Sequence, residues 1–223
     1  MNEEVQQLHK KLTGYIDEQK KNWDSFVYAK DNGFYQGFDE IGINGCRPTE
    51  KRFERYRINQ YLSKDFRALD IGCNCGFFTI FVSRFLNDIT GVEINPYLIK
   101  IADETRNFLK IQNTRFLTSS FEDYESEEKF DIIFSLANDE TIDGNTKFTF
   151  KEYVSKIHKL LTNEGLLIFE TVAPDTFEPR LFKPKLEFLK QQFSILEDRM
   201  VETEYPINVP ERRFLILKKN LWI

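Results

Sequence analysis

Two carboxylates and two glycines between residues 67 and 93 have a spacing that suits a nucleoside ligand. Asp70, Gly72 and Gly76 form the pattern Asp-x-Gly-x-x-x-Gly after a short apolar run. Glu93 ends a second apolar run about twenty residues further on, where a carboxylate can accept two hydrogen bonds from a ribose diol. Glycines let a ligand lie against the main chain, and free N–H groups at the following helix start would add a weak positive pole. The spacing predicts a nucleoside-bearing ligand.

The glycine spacing also indicates which nucleoside is bound. A dinucleotide fingerprint reads Gly-x-Gly-x-x-Gly, and Asn74 stands here where its second glycine would be, so close approach of a pyrophosphate is disfavoured. The segment Leu69-Asp70-Ile71-Gly72-Cys73-Asn74-Cys75-Gly76 resembles motif I of the class I S-adenosylmethionine (SAM)-dependent methyltransferases, and Gly91-Val92-Glu93 resembles their ribose-binding strand end. The resemblance implies SAM as the cofactor. A glycine turn that merely closes an ordinary α/β unit is the alternative.

The resemblance also implies where the cofactor lies. The segment Ser120-Phe121-Glu122 stands where the family binds adenine, although many members have Asp in place of Ser119 or Ser120. Phe121 is expected either to stack on the adenine or to fill the core. The predicted cofactor-binding residues are Asp70, Gly72, Cys73, Asn74, Gly76, Phe77, Glu93, Ile94, Ser120, Phe121, Ser135 and Leu136.

Three carboxylates are the predicted catalytic residues, namely Asp139, Glu140 and Glu170. In proteins of the fold that the resemblance implies, the loop 135–141 lies beside the transferred methyl group. A carboxylate there suits deprotonation of a hydroxyl or ammonium acceptor, whereas a solvated loop charge is the alternative and, for either carboxylate alone, the favoured one. The Asn/Asp/Ser-Pro-Pro-Tyr/Phe motif of amino-directed relatives is absent, which disfavours nucleobase amino groups. Arg212 and Arg213 are expected at the same mouth, where they would neutralise an anionic substrate.

Two shorter resemblances lie outside this motif. Gly45-Cys-Arg47-Pro-Thr-Glu50-Lys-Arg52 and Glu170-Thr-Val are similar to segments of the tRNA wobble-uridine carboxymethyl-transferring enzymes. Gly76-Phe-Phe and Pro210-Glu-Arg-Arg-Phe-Leu are similar to the methyltransferases that cap O-antigen chains. Arg47 or Arg52 is expected to hold the methionine carboxylate or an anionic substrate, or to be a surface charge.

Composition narrows the class of protein. The 223 residues are 41% hydrophobic, which suits one α/β domain with an embellishment, and the net charge of −5 argues against a broad grip on nucleic acid. No run of eighteen apolar residues occurs and the N-terminus is polar, so a cytoplasmic protein without a membrane segment is expected. The three cysteines, two of them in the glycine turn, favour a reducing compartment.

No metal site is predicted, because the two histidines, His9 and His158, are distant in the sequence from Cys73 and Cys75.

Strand and helix patterns alternate along the chain, which predicts a mostly parallel sheet with helices on both faces. The resemblance implies an α/β, Rossmann-like, seven-stranded sheet with a C-terminal antiparallel hairpin. Residues 1–62 are expected to form a helix, an aromatic loop over 23–49 and a lead-in helix capped by Thr49 that together cover the pocket. Residues 63–223 are expected to form the SAM-binding domain, with Thr149 and Glu152 as a capping box and Pro184 starting the last helix.

The sequence therefore predicts a SAM-dependent methyltransferase that acts on a small-molecule or glycan-precursor acceptor, at oxygen. A tRNA-modifying transferase and a non-catalytic SAM-binding protein are the open alternatives. A nucleotide-dependent oxidoreductase is disfavoured by the glycine spacing.

Overall fold

A seven-stranded sheet forms the centre of the structure, a computed structural model that describes residues 3–31, 33–141, 144–173, 175 and 178–220. The strands are β1 (Phe34–Gly37), β2 (Gly45–Pro48), β3 (Arg67–Ile71), β4 (Asp88–Glu93), β5 (Thr114–Thr118), β6 (Phe130–Leu136), β7 (Leu161–Glu170), β8 (Phe193–Glu202) and β9 (Glu211–Lys219). The large sheet has the order β5-β4-β3-β6-β7-β9-β8. Strands β3 to β7 are parallel, and β9 is antiparallel to both β7 and β8. The predicted fold and its C-terminal hairpin are confirmed.

Helices pack on both faces of this sheet. They are α1 (Glu3–Asn22), α2 (Thr49–Tyr56), α3 (Phe77–Val82), α4 (Pro96–Phe108), α5 (Phe150–Leu160) and α6 (Pro179–Gln192). Consecutive residues of a strand point to opposite faces, so Ile133 packs with the α5 and α6 side chains whereas Ile132 and Phe134 pack with those of α2 and α3. None of the helices in the described ranges is long and apolar enough to cross a membrane.

Two predicted helix starts are confirmed. The Asn95 side chain accepts the Tyr97 N–H at 3.0 Å, with Pro96 in the first turn of α4. Thr149 and Glu152 form the expected capping box of α5, which satisfies two backbone N–H groups reciprocally. The local sequence therefore fixes where these two helices begin.

Two other helix starts were predicted wrongly. Thr49 does not cap α2, because the helix already includes it, and its buried hydroxyl has no hydrogen-bond partner among the described residues. The last helix begins at Pro179, and Pro184 lies inside it, where it removes one backbone hydrogen bond. The prediction therefore took the second of two prolines as the start of the helix, whereas the first one stands there.

The segment predicted as an aromatic loop contains a second, two-stranded parallel sheet of β1 and β2. The strands approach so closely that a Cβ on Gly45 would lie 2.2 Å from the Gln36 carbonyl carbon, so glycine is required there. Helix α1, ahead of this sheet, packs its apolar side on α4, with Leu12 and Ile16 in one cluster with Ile101. The N-terminal segment is thus part of the same packed structure as the large sheet.

Candidate active site

A pocket lies at the carboxyl ends of the central parallel strands, where Glu93 ends β4. One carboxylate oxygen of Glu93 accepts the Asn74 N–H at 3.1 Å and the other accepts the Asn95 N–H at 3.0 Å. These bonds fix the carboxylate between the glycine turn and the start of α4. An ionised carboxylate has about four acceptor positions, so both oxygens can still accept ribose hydroxyls.

The glycine turn that faces Glu93 is held by a residue from the N-terminal segment. The Gln36 side chain of β1 donates to the Cys73 carbonyl at 3.2 Å and accepts the Phe77 N–H at 3.0 Å. The first N–H of α3 is therefore bonded within the protein, contrary to the free positive pole expected there. Sequence reasoning missed Gln36, because no spacing pattern links it to the turn.

The two glycines of the turn serve different purposes. Gly72 lines the pocket with φ +63°, and a Cβ there would lie 2.8 Å from Oδ1 of Asn138. Gly76 has φ +71°, and a Cβ there would lie 2.6 Å from Ala102 and 2.7 Å from Phe116. Gly76 is thus required by packing beneath the turn, whereas Gly72 keeps the backbone open toward the pocket.

Asp70 stands beside Gly72 at the end of β3 and is buried. Its carboxylate accepts a hydrogen bond from the Thr79 hydroxyl at 2.6 Å. Burial is the main cause that raises the pKa of Asp70 to about 6, while Thr79 and the charge of Arg52 oppose that rise. Asp70 is therefore a buried carboxyl group of raised pKa in the pocket wall.

Apolar side chains form the wall nearest the β5 and β6 ends. Ile94, Leu136 and Phe121 line the pocket, and the Phe121 ring meets the Tyr153 ring edge to face at a centroid distance of 5.0 Å. The Ser120 hydroxyl closes a local turn, since it donates to the Asp123 carboxylate at 2.7 Å and accepts the Asp123 N–H at 3.0 Å. This wall suits a flat ring more than it suits a charged group.

The predicted cofactor residues divide into two groups. Those that line the pocket are Asp70, Gly72, Cys73, Asn74, Glu93, Ile94, Ser120, Phe121 and Leu136. Gly76, Phe77 and Ser135 lie outside the lining and are buried. Ser135 bonds to the Tyr153 hydroxyl at 2.9 Å, and Phe77 packs on Phe38 at a ring distance of 5.6 Å. These three residues therefore pack behind the pocket wall instead of lining it.

Aromatic residues of the N-terminal segment also line the pocket. They are Trp23, Phe26, Tyr28 and Tyr35, joined in the lining by Gln19, Gln36 and Arg52. The Phe26 and Tyr28 rings lie 5.0 Å apart, and Tyr28 and Tyr35 lie 5.4 Å apart. The described part of this segment therefore borders the pocket, and its closure over a ligand stays a prediction.

Two of the predicted catalytic carboxylates face a lysine instead of the pocket. Lys185 of α6 lies 2.8 Å from Asp139, 3.2 Å from Glu140 and 2.8 Å from Asp175. Burial raises the pKa of Asp139 to about 6 although Lys185 opposes that rise. Asp139 and Glu140 are outside the pocket lining, whereas their neighbours Asn138 and Thr141 are part of it.

The third predicted catalytic carboxylate, Glu170, is buried in what we call the arginine cluster. The cluster consists of Arg47, Arg52, Tyr56, Glu170 and Arg212. Nη2 of Arg47 lies 2.7 Å from Oε1 of Glu170, and the Tyr56 hydroxyl donates to Oε2. Although burial alone would raise it, the surrounding guanidinium groups lower the pKa of Glu170 to about 2. Such a carboxylate is a poor general base, and Glu170 does not line the pocket.

Arg212 and Arg213 do not act as a pair. Successive residues of β9 point to opposite faces, so Arg212 enters the arginine cluster while Arg213 turns away. Arg213 binds Asp198 of β8 through two hydrogen bonds of 2.7 and 2.6 Å. Neither arginine is among the residues that line the pocket, so the two do not form the expected pair at its mouth.

The residues present fit SAM. The Glu93 carboxylate is placed for a ribose, the apolar wall is placed for a ring, and the bare backbone at Gly72 is placed for close approach of a chain. A nucleoside site of this kind at the strand ends of a seven-stranded sheet with an antiparallel hairpin defines the class I methyltransferases.

Comparison with known proteins gives the family. The family model described as a methyltransferase domain matches residues 62–209, so the chain belongs to that family. A malonyl-acyl-carrier-protein O-methyltransferase from Ilyobacter polytropus is 31% identical over 156 residues, which cover 66% of this chain and 57% of that protein. A second such enzyme from the same organism is 28% identical over 51% of this chain and 41% of its own length. The chain thus spans about half the length of the curated relatives it matches.

Solved structures agree with the fold. The N-methyltransferase NodS from Bradyrhizobium japonicum, in complex with S-adenosylhomocysteine (SAH), superposes with a TM-score of 0.62 at 14% identity, covering 99% of this chain and 100% of that one. A methyltransferase from Pyrococcus furiosus superposes with a TM-score of 0.60 at 14% identity, covering 96% and 98%. The family match confirms the expected methyltransferase superfamily and implies the expected cofactor, SAM.

We predict that Gln36→Met weakens SAH binding about three- to tenfold, because it leaves the Phe77 N–H without an acceptor and removes one of the two donors to the Cys73 carbonyl, which Gly76 N–H also contacts. Titration calorimetry measures this effect, with Gln7→Met on the exposed side of α1 as the matched control. Unchanged SAH affinity in a folded Gln36→Met protein would mean that β1 does not support the turn.

Proposed function

We propose that this chain transfers a methyl group from SAM to an oxygen atom of a small-molecule or glycan-precursor acceptor. The observation that carries the proposal is the joint lining of one pocket by Glu93, Gly72 and Phe121, each at a strand end. The naming of sequence relatives as O-methyltransferases supports oxygen as the acceptor atom. The acceptor itself is a matter for experiment.

The residues of the chain would hold the cofactor more than they would activate it. Bound SAM supplies a sulfonium methyl group that a nucleophile displaces in line, so the enzyme chiefly orients donor and acceptor. Glu93 would hold the ribose, Phe121 and Leu136 would flank the adenine, and Asp70 would lie near the amino acid end beside Gly72. The aromatic side chains Trp23, Phe26 and Tyr28 would exclude water from the bound cofactor.

A general base remains part of the proposal, with Asp139 as the preferred candidate. Its raised pKa of about 6 is suited to accepting a proton near neutral pH. Its Oδ1 atom is buried and has no hydrogen-bond partner among the described residues, while Oδ2 is bound by Lys185. Asn138 and Thr141 line the pocket on either side of Asp139 in the sequence, so Asp139 would have to leave Lys185 in order to face an acceptor there. Glu140 is a weaker candidate since it is largely exposed.

The positions of the arginines count against the alternative of a tRNA-modifying transferase. A contiguous basic surface that connects Arg47, Arg52, Arg55 and Arg57 to the pocket would favour it. Arg47 and Arg52 are buried, and Arg55 is paired with Glu202 and Glu204. A non-catalytic role as a SAM-binding protein remains the second candidate function, and it is favoured by the turning of Asp139 and Glu140 away from the pocket lining.

Transfer of a labelled methyl group tests the proposal. SAM with a labelled methyl would be incubated with the protein and with separate pools of carboxylic acids, phosphorylated metabolites, nucleotide sugars, malonyl-acyl carrier protein and bulk tRNA. We expect label in one of the small-molecule or carrier-bound pools and none in tRNA. Label in tRNA alone would replace the proposal by the RNA alternative, and SAM binding without transfer to any pool would favour the non-catalytic one.

A further inference from the structure

The arginine cluster contains more positive than negative charge. Arg47, Arg52 and Arg212 surround the single carboxylate of Glu170, with exposed fractions of 2%, 5%, 6% and 1%. The closest guanidinium nitrogens lie 2.7, 3.9 and 3.4 Å from Glu170 oxygens for these three arginines. Asp70, which also faces Arg52, adds at most one negative charge. A buried excess of charge is strongly unfavourable unless another group neutralises it.

The cluster also has hydrogen-bond donors to spare. Within the described part of the chain, Nε and Nη1 of Arg47 and Nε of Arg212 are buried and make no hydrogen bond of good geometry, although Tyr35 interacts with the Arg47 side chain and Nε of Arg212 lies 3.4 Å from Oε1 of Glu170. Buried polar groups in native proteins are almost always bonded, so donors without partners indicate a missing acceptor. The planar fork of a guanidinium group matches the two oxygens of a carboxylate or phosphate. The cluster therefore has both the charge and the donors for one further oxyanion.

The cluster borders the pocket through Arg52, its one member in the described pocket lining. Arg52 and Tyr35 line the pocket, and Tyr35 also interacts with Arg47. Although burial opposes it, the charge of Glu170, with smaller contributions from Tyr56 and Tyr35, holds the pKa of Arg47 well above its ordinary value. Glu93 ends β4 and Glu170 ends β7, with β3 and β6 between them. Three steps between neighbouring strands amount to roughly 14 Å. The cluster thus lies beyond the expected cofactor, where an acceptor would enter.

We propose that the arginine cluster binds a carboxylate or phosphate group of the methyl acceptor, with Arg52 presenting its guanidinium group to the pocket. The identity of this anion as part of the acceptor rests on the proposed function, whereas anion binding by the cluster does not. The site would anchor the acceptor while its oxygen meets the methyl group. The chain therefore selects anionic acceptors over neutral ones.

Inorganic phosphate is the probe for this site. Thermal unfolding of the SAH-saturated protein would be followed against phosphate concentration at constant ionic strength. We expect phosphate to raise the midpoint temperature, and its apparent Kd to increase at least about tenfold in Arg52→Met, because charge-assisted hydrogen bonds are lost. Arg180→Met, which removes the same charge from an exposed position of α6, is the matched control and should bind phosphate as the unmodified protein does.

Four results would overturn the proposal. Phosphate that competes with SAH would assign the cluster to the methionine carboxylate of the cofactor. Absence of a phosphate effect, or the same effect in Arg52→Met, would make the cluster purely structural.

If Arg52→Met does not fold, Arg52→Lys is the deciding variant, since it keeps the charge but loses the planar fork of donors and should bind phosphate more weakly. Equal phosphate binding by Arg52→Lys would then reject the site. Failure of SAH binding would instead count against the proposed function, with phosphate binding still measurable on the SAH-free protein.

Discussion

Glu170→Gln should lower the free energy of unfolding by about 3 to 5 kcal/mol, because it leaves three buried guanidinium groups without their carboxylate partner. Chemical denaturation of the purified protein at neutral pH measures this change. Glu125→Gln is the matched control, since Glu125 is 86% exposed and its pair with Lys156 should contribute less than about 1 kcal/mol. A loss below about 1 kcal/mol in Glu170→Gln would contradict a desolvated cluster.

The pH dependence of the free energy of unfolding gives a second test of the role of Glu170. The pKa of Glu170 is lowered from 4.5 to about 2, which corresponds to about 3 kcal/mol. Since the folded pKa is depressed, this contribution is fully present above about pH 4.5 and is lost as the pH falls toward 2. The unmodified protein should therefore lose more stability over that window than Glu170→Gln does. Parallel curves for the two proteins would contradict the depressed pKa.

Glu93→Ala should weaken SAH binding by about 1 to 3 kcal/mol, or roughly five- to 150-fold, because the ribose loses a charged hydrogen-bond acceptor. Loss of the carboxylate also frees the Asn74 and Asn95 N–H groups that now fix the turn. Calorimetric titration of SAH measures the effect, and Glu125→Ala serves as the control with the same change in charge. Unchanged SAH affinity in Glu93→Ala would reject the ribose assignment.

Local sequence patterns were sufficient to predict the central strands of the fold and two of its helix starts. The apolar runs before Gly72 and before Glu93 predicted β3 and β4 because buried parallel strands are continuously apolar. The caps at Asn95 and Thr149 were predicted because each rests on contacts within four residues. The pocket position followed from the rule that ligands bind beyond the carboxyl ends of parallel strands.

Contacts between segments that are distant in the chain could not be predicted from the sequence. Gln36 reaches the glycine turn across 37 residues, and Arg47 reaches Glu170 across 123 residues, so no local spacing records either contact. The direction of a side chain was equally inaccessible, as Arg212 and Arg213 illustrate. Asp139 and Glu140 were placed on the correct loop, yet Lys185 of a later helix draws both away from the pocket.

Calorimetric titration of SAH into the unmodified chain and into Gly72→Val tests the central claim, that SAM binds over the glycine turn beside Glu93. We predict one SAH molecule bound per unmodified chain and none in Gly72→Val, since a side chain at Gly72 would be strained at its positive φ and would meet Asn138 within 3 Å. NAD, titrated in the same way, should not bind. Absence of SAH binding by the unmodified chain, or equal SAH binding by Gly72→Val, would contradict the claim.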